Sequence, residues 1–263
     1  MHPFYPQVAD SVSPATMIGR VARVLSGFVE ASTDEQRITD IARRSGLPKA
    51  TVSRIVAELI DQNLLERSGS AVRLGIRFFE LGQRAARPQE LRRLSVTRML
   101  DLRNTTRRTV HLAVLDGAEV VYVAILHGKD PPPMASRIGG RLPAHATAVG
   151  KALLAFAAPQ VVDGLLATEL QRLSPHTLTD RDVIRAQLSA IRGNGMAYER
   201  EESGLGVACV AAPIRIDEGT AIAALSVSAR TDEVASPGLA HALRTAAYAL
   251  GKEASRNPVF RTV

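Results

Sequence analysis

The chain reads as an α+β protein in two parts: a helical N-terminal part closed by a short β-hairpin, and a larger part with an antiparallel sheet flanked by helices. Three observations predict this. Ala42, Gly46 and Val52 fall in the spacing A-x3-G-x5-V, in which a small residue lets two short helices approach and a glycine turns the chain between them. A hairpin follows at 65–74, around Ser68-Gly69-Ser70. Beyond residue 109, β-rich runs come in pairs: 109–115 with 120–125 around Asp116-Gly117, and 206–216 with 221–229 around Asp217-Glu218-Gly219. Hairpins of this kind make antiparallel pairs, whereas a parallel sheet needs a crossover between strands.

The elements follow in order. Residues 1–13, with Pro3 and Pro6, read as a flexible tail. A helix over 15–31 carries Ile18, Val21, Ala22, Leu25, Phe28 and Val29 at helical spacing. Thr39 is placed to cap the next helix, and Pro48 suits the first turn of the one after it. In that second helix Val52, Ile55, Val56, Leu59 and Ile60 form one apolar face. The outer face is left to Lys49, Thr51, Ser53 and Arg54, near the N-terminus, where a recognition helix touches DNA. With the hairpin as wing, 14–75 is a winged helix-turn-helix, and Arg67 and Arg73 on the wing are placed for the DNA backbone.

A linker helix over 76–86, with Phe78, Phe79 and Leu81, is expected to stop near Pro88 and so join the parts across 76–90. The second domain, 91–263, opens with an amphipathic helix at 91–102. Pro131-Pro132-Pro133 and Gly139-Gly140 mark an irregular loop. Helices are predicted at 149–158, at 180–193 with Val183, Ile184, Leu188 and Ile191 inward, and at 235–255.

Composition sets bounds. At 263 residues and 46% hydrophobic the chain can bury two cores. The formal charge of +7 agrees with a nucleic-acid partner, yet residues 1–90 carry 12 Lys+Arg against 10 Asp+Glu, so the basic groups must be sorted to one face. A single weakly basic head binds poorly at cellular salt, which predicts a dimer. Arg92, Arg93, Arg98, Arg103, Arg107 and Arg108 read as a solvated helix face. One cysteine excludes a disulfide framework within the chain and a cysteine-rich zinc site. With no signal-like segment and no apolar run of about 18 residues, a soluble, cytoplasmic protein with no membrane partner is expected.

Four stretches together resemble the IclR family of bacterial transcriptional regulators, over about 17–250. They are Gly46-Leu47-Pro48-Lys49-Ala50-Thr51-Val52, Arg73-Leu74-Gly75, the run from Leu142 to Ala152, and Glu202-x3-Gly206-x2-Cys209-Val210-Ala211-Ala212-Pro213-Ile214. The resemblance implies a C-terminal GAF-like domain that binds a small effector, and a homodimer that can pair into tetramers on operator DNA. The chain departs from the pattern in having Val72 for a wing Tyr, Arg108 for a Glu, and Ser53 for a His on the recognition helix. The last concerns operator sequence.

Ser226 and Ser228, two apart on one strand, share a face and can donate to a carboxylate or carbonyl oxygen. Cys209 shares a face with Ala211 on the preceding strand, and Ala148 and Val149 open a helix after Pro143. By resemblance, Ala148, Val149, Glu199, Cys209, Ser226 and Ser228 supply polar contacts to a small organic acid or aromatic catabolite, and Met134, Leu142 and Val207 apolar wall. Glu199 stands where an Asp can occur, and its charge opposes an anion unless protonated or paired. Two alternatives stand beside this one: a second domain that only oligomerises, and a thiol enzyme built on Cys209 with His145 or His111. The apolar neighbours of Cys209 speak against the enzyme, and no phosphate-loop, dinucleotide or nucleophile-elbow motif occurs. Hence no catalytic residue, no cofactor and no metal is assigned. His145 reads as structural and Lys151 as a helix-surface lysine.

Overall fold

The computed structural model describes residues 16–29, 33–216, 219–231 and 237–260, so the predicted tail and the turn residues Asp217 and Glu218 lie outside the described residues. The chain divides at Ala86/Arg87 into two compact units.

The first unit contains α1 (Met17–Val29), α2 (Ile38–Ser45) and α3 (Lys49–Asp61), followed by β1 (Leu65–Ser68), β2 (Ala71–Leu74) and α4 (Ile76–Gly82). Gly46 ends α2 in the left-handed region at φ 62°, which is why glycine serves at that turn. Val24, Ile41, Val52, Ile55, Val56, Leu59, Leu65 and Val72 make one core under the three helices and the wing. The predicted cap at Thr39 is corrected: α2 starts after Arg37, no side chain caps it, and Thr39 lies one residue inside. The wing pairs antiparallel, Leu65 opposite Leu74 and Arg67 opposite Val72, and a bridge between Gln36 and Val72 ties it to the segment before α2.

The predicted linker helix is two helices. α4 stops at Gly82, and α5 (Ala86–Thr106) starts before Pro88 and runs through it. Proline lacks an N–H that the first turn leaves unpaired in any case, so it starts this helix instead of stopping it.

The second unit is a six-stranded antiparallel sheet of order β5-β4-β3-β8-β7-β6. Its strands are β3 (Thr109–Asp116), β4 (Glu119–Leu126), β5 (Arg141–Pro143), β6 (Ala197–Arg200), β7 (Val207–Arg215) and β8 (Ala221–Arg230). Side chains alternate across it. Val110, Leu112, Val210, Ala212, Ile214, Leu225 and Val227 face a core shared with α5 and α9 (Pro237–Arg256). Ala113, Ala211 and Ala224 face the other core, filled by α6 (Ala148–Leu154), α7 (Pro159–Ala167) and α8 (Arg181–Asn194). Small residues on that face let α6 lie close on β3, β7 and β8.

Two further expectations need correction. In α8, Asp180 caps the N-terminus through Asp182 and Val183 N–H, and Ile184, Leu188 and Ile191 are buried, but Val183 is 42% exposed. The arginine cluster of 92–108, of which Arg107 and Arg108 lie beyond α5, is only partly a solvated helix face: Arg98 pairs with Glu253 of α9 at 2.6 Å and Arg103 donates to the His127 carbonyl at 3.1 Å.

Candidate functional site

The first unit presents one polar face. α3 buries Val52, Ile55, Val56 and Leu59, which leaves Lys49, Ser53 and Arg54 exposed and Thr51 half-buried on the outside. On the wing, Arg67 is exposed, whereas Arg73 is held by Glu66 at 2.9 Å across the hairpin.

The second unit holds a cavity of about 260 Å³ between the α6 face of the sheet and the loop at 133–136. All nine residues expected to form an effector pocket line it: Ala148, Val149, Glu199, Cys209, Ser226 and Ser228, with Met134, Leu142 and Val207. The sheet register explains why. Cys209 lies opposite Glu199 on β6 and opposite Ser228 on β8, so three strands deliver polar groups to one row. Ser226 and Ser228 are only 3% and 2% exposed, which is not a solvated sheet face. Thr147 caps α6 by accepting from the Gly150 N–H at 3.0 Å, and so fixes where Ala148 and Val149 meet the cavity.

The lining also includes His111, Tyr122, Ser136, Thr147 and Ser203, which the site assignment from sequence left out. His111 sits on β3 directly opposite Ser226. Its Nε2 is 3.0 Å from Ser136 Oγ, and its Nδ1 is 3.3 Å from Ser228 Oγ and 3.5 Å from Ser226 Oγ. Ser228 Oγ continues the chain to Cys209 Sγ at 2.9 Å. Burial pushes the His111 imidazole down to about 4, helped by the charge on His127, so the ring is neutral at physiological pH. A neutral imidazole offers one donor and one acceptor, which suits hydroxyl partners on both sides. The Tyr122 ring packs 5.3 Å from it, and burial together with Cys209 and Glu199 keeps that phenol protonated.

Glu199 is 2% exposed, and its Oε1 accepts from the Ser203 N–H at 2.8 Å and from Ser203 Oγ at 3.2 Å. Oε2 is buried beside the weakly polar Cys209 thiol, with no other hydrogen-bond partner among the described residues. Burial raises the Glu199 carboxyl above its ordinary range, against the opposing Ser203 hydrogen bond. Burial likewise raises the Cys209 thiol, and the facing Glu199 carboxylate adds to it. A nucleophilic thiol needs the opposite surroundings.

Lys151 is a correction. It is 1% exposed, and its Nζ donates to Glu202 Oε1 at 2.5 Å, making a buried ion pair within α6 and the loop after β6. His145 is also buried, with Nε2 bonded to the Gln171 carbonyl at 3.0 Å.

Residues 18–69 match the family model of the IclR helix-turn-helix domain, and residues 83–252 that of the bacterial transcriptional regulator IclR C-terminal domain. The chain belongs to the IclR family of bacterial transcriptional regulators. It is 36% identical over 230 residues to the HTH-type transcriptional regulator XynR of Escherichia coli, covering 85% of this chain and 90% of XynR. It is 31% identical to the HTH-type regulator KdgR of Dickeya chrysanthemi, covering 84% of this chain and 74% of KdgR. Among solved structures, an IclR homolog from Microbacterium hydrocarbonoxydans in complex with 4-hydroxybenzoate superposes with a TM-score of 0.83 at 33% identity. That match covers 92% of this chain and 99% of the other. The chain is accordingly a DNA-binding transcriptional regulator with a C-terminal effector-binding domain. No helix among the described residues is long and apolar enough to cross a membrane.

Proposed function

We propose that residues 14–75 act as the reading head, 91–263 as the sensor and the two-helix segment 76–90 as the connection between them. As a homodimer, able to pair into a tetramer, the protein reads a palindromic operator. Lys49, Thr51, Ser53 and Arg54 reach base edges and phosphates, while Arg67 and Arg73 hold the backbone or minor groove. Arg73 leaves Glu66 to do so, an exchange of one exposed partner for another that costs little. The sensor domain carries no catalysis.

The observation that carries the sensing role is the cavity with its Ser136–His111–Ser228–Cys209 chain of polar groups, which a domain made only to oligomerise has no reason to keep. The effector is a small organic acid or aromatic catabolite, a reading supported by the structural neighbour's complex with 4-hydroxybenzoate. Two features of this cavity narrow the class. No Lys or Arg is among the described lining residues, so a carboxylate is held by the Ser226 and Ser228 hydroxyls, His111 and the Ala148 and Val149 N–H groups, not by a counter-ion. Glu199 Oε2, in turn, is offered an acceptor's role and calls for a donor. A hydroxy acid meets both demands, with its hydroxyl on Glu199.

Thermal shift of the full-length protein against paired acids with and without a hydroxyl, together with DNA binding upstream of its own gene, tests this. A hydroxy acid that raises the melting temperature and changes DNA affinity is expected. DNA binding that responds to none of the acids would favour a constitutive DNA-binding dimer.

A further inference from the structure

A second cleft, of about 660 Å³, opens at the other end of β7, lined by Phe156, Gly195, Ala212, Pro213 and Arg215 on one side and by Arg244, Ala247, Tyr248 and Lys252 of α9 on the other. Arg244, Tyr248 and Lys252 stand four residues apart, which stacks them on one helical face as cation, aromatic, cation. The helix is seated hard against the strand here: a Cβ at Gly251 would come within 2.1 Å of the Arg215 carbonyl oxygen, so only glycine allows the approach. Arg215 of β7 lines the same cleft, with its guanidinium 4.4 Å over the Phe156 ring. Lys252 Nζ lies 5.4 Å from the Tyr248 ring centre, resting on an aromatic face. The adjacent acid on α9, Glu253, is turned away to Arg98 of α5. No carboxylate occurs among the described lining residues.

Arg244 and Lys252 are exposed cations bordering one concavity, and a dianion is attracted by both. The 66% exposed Tyr248 between the two α9 cations offers a flat, open face for stacking. We infer that this cleft is a second ligand site, separate from the effector cavity, that takes a small dianion carrying a planar ring. Arg244 and Lys252 hold the charge and Tyr248 stacks on the ring. Its lining shares no residue with the effector cavity.

The test uses the full-length protein and three probes in isothermal titration: AMP, which has both ring and dianion, inorganic phosphate, and adenosine. AMP is expected to bind saturably, phosphate more weakly and adenosine not at all. Arg244→Ala with Lys252→Ala should weaken AMP about tenfold, an effect that shrinks with salt. Tyr248→Ala should weaken AMP several-fold and leave phosphate unchanged. Ser226→Ala with Ser228→Ala, and separately Arg54→Ala, should leave AMP binding intact, which separates the cleft from the effector cavity and the reading head. Circular dichroism establishes that each variant is folded. Three results would overturn the inference: no saturable AMP binding, equal binding by the Arg244/Lys252 variant, or loss of AMP binding on Arg54→Ala. A change of oligomeric state in the Arg244/Lys252 variant would also overturn it, assigning the face to a second copy of the chain.

Discussion

Acidification should destabilise the sensor domain through His111 at a pH where an exposed histidine would cost nothing. The imidazole is 2% exposed and its pKa falls from 6.5 to about 4 on folding, chiefly through burial. Between these values the unfolded chain binds a proton that the folded one refuses, so stability is complete above pH 6.5 and drains away as pH falls toward 4. Linkage over that window gives a loss of about 2–3 kcal/mol between roughly pH 7.5 and pH 4.5 from this one group. The assay is urea unfolding of the sensor-domain transition at a series of pH values, in the native protein and in His111→Gln. Glutamine keeps a donor and an acceptor for Ser136 and Ser228 but does not titrate. The native protein should lose about 2–3 kcal/mol more than the variant over the window. Parallel pH profiles would refute the reasoning, because they would mean that His111 is no harder to protonate folded than unfolded. An acid bound beside His111 should blunt the loss, since a carboxylate stabilises the imidazolium.

Other consequences are as direct. Arg54→Ala should weaken operator binding about 10- to 100-fold while leaving effector binding unchanged, read by DNA anisotropy and titration calorimetry. Ser226→Ala with Ser228→Ala should do the reverse, weakening an acid effector about 10- to 100-fold with operator affinity in the absence of effector unchanged. Equal losses of both activities in either variant would reject the division of labour. Lys151→Ala strands the Glu202 carboxylate in the interior and should cost about 3–5 kcal/mol in urea unfolding, whereas Lys151→Met with Glu202→Leu should recover most of it. If the double variant is no better than the single one, the pair is not what the alanine removes.

The parts of the protein legible in its sequence are those whose signal is local. The reading head declares itself because helix, glycine turn, helix and hairpin follow one another within about 40 residues, each with its own short-range pattern. Ser226 and Ser228 are legible as a pair because a strand repeats every two residues, and that rule holds wherever the strand lies. What pairs with them is not, since nothing in the residues near 111 states that β3 lies beside β8 in the register that sets His111 opposite Ser226. Lys151 fails for the same reason: one turn of an Ala-rich helix gives no sign that Glu202, about fifty residues later, waits beneath it. β6 escapes notice because Ala-Tyr-Glu-Arg is a strand only by virtue of its partner β7. At the junction of 82 and 86 the error had another source, as the helix-breaking reading of Pro88 holds for helix interiors and not for first turns.

These long-range pairings share one consequence for sensing. Around the cavity the domain buries one group that would be better solvated, the Glu199 carboxyl with one oxygen lacking a strong partner. That burial costs stability in the empty domain, and the apolar cores on both sheet faces offset it. A ligand that supplies a donor to Glu199 and an acceptor to the serine–histidine chain removes part of that cost, so its binding energy is concentrated in the state whose groups are so arranged. Effector binding changes DNA affinity only in proportion to such a difference between states. Filling the cavity without meeting those groups binds both states alike. A ligand of matching size but without the hydroxyl should therefore stabilise the sensor domain and leave operator affinity unmoved. Thermal shift and DNA anisotropy on the same pair of ligands measure the two effects separately, and an operator response to the ligand lacking the hydroxyl would move the switch away from Glu199.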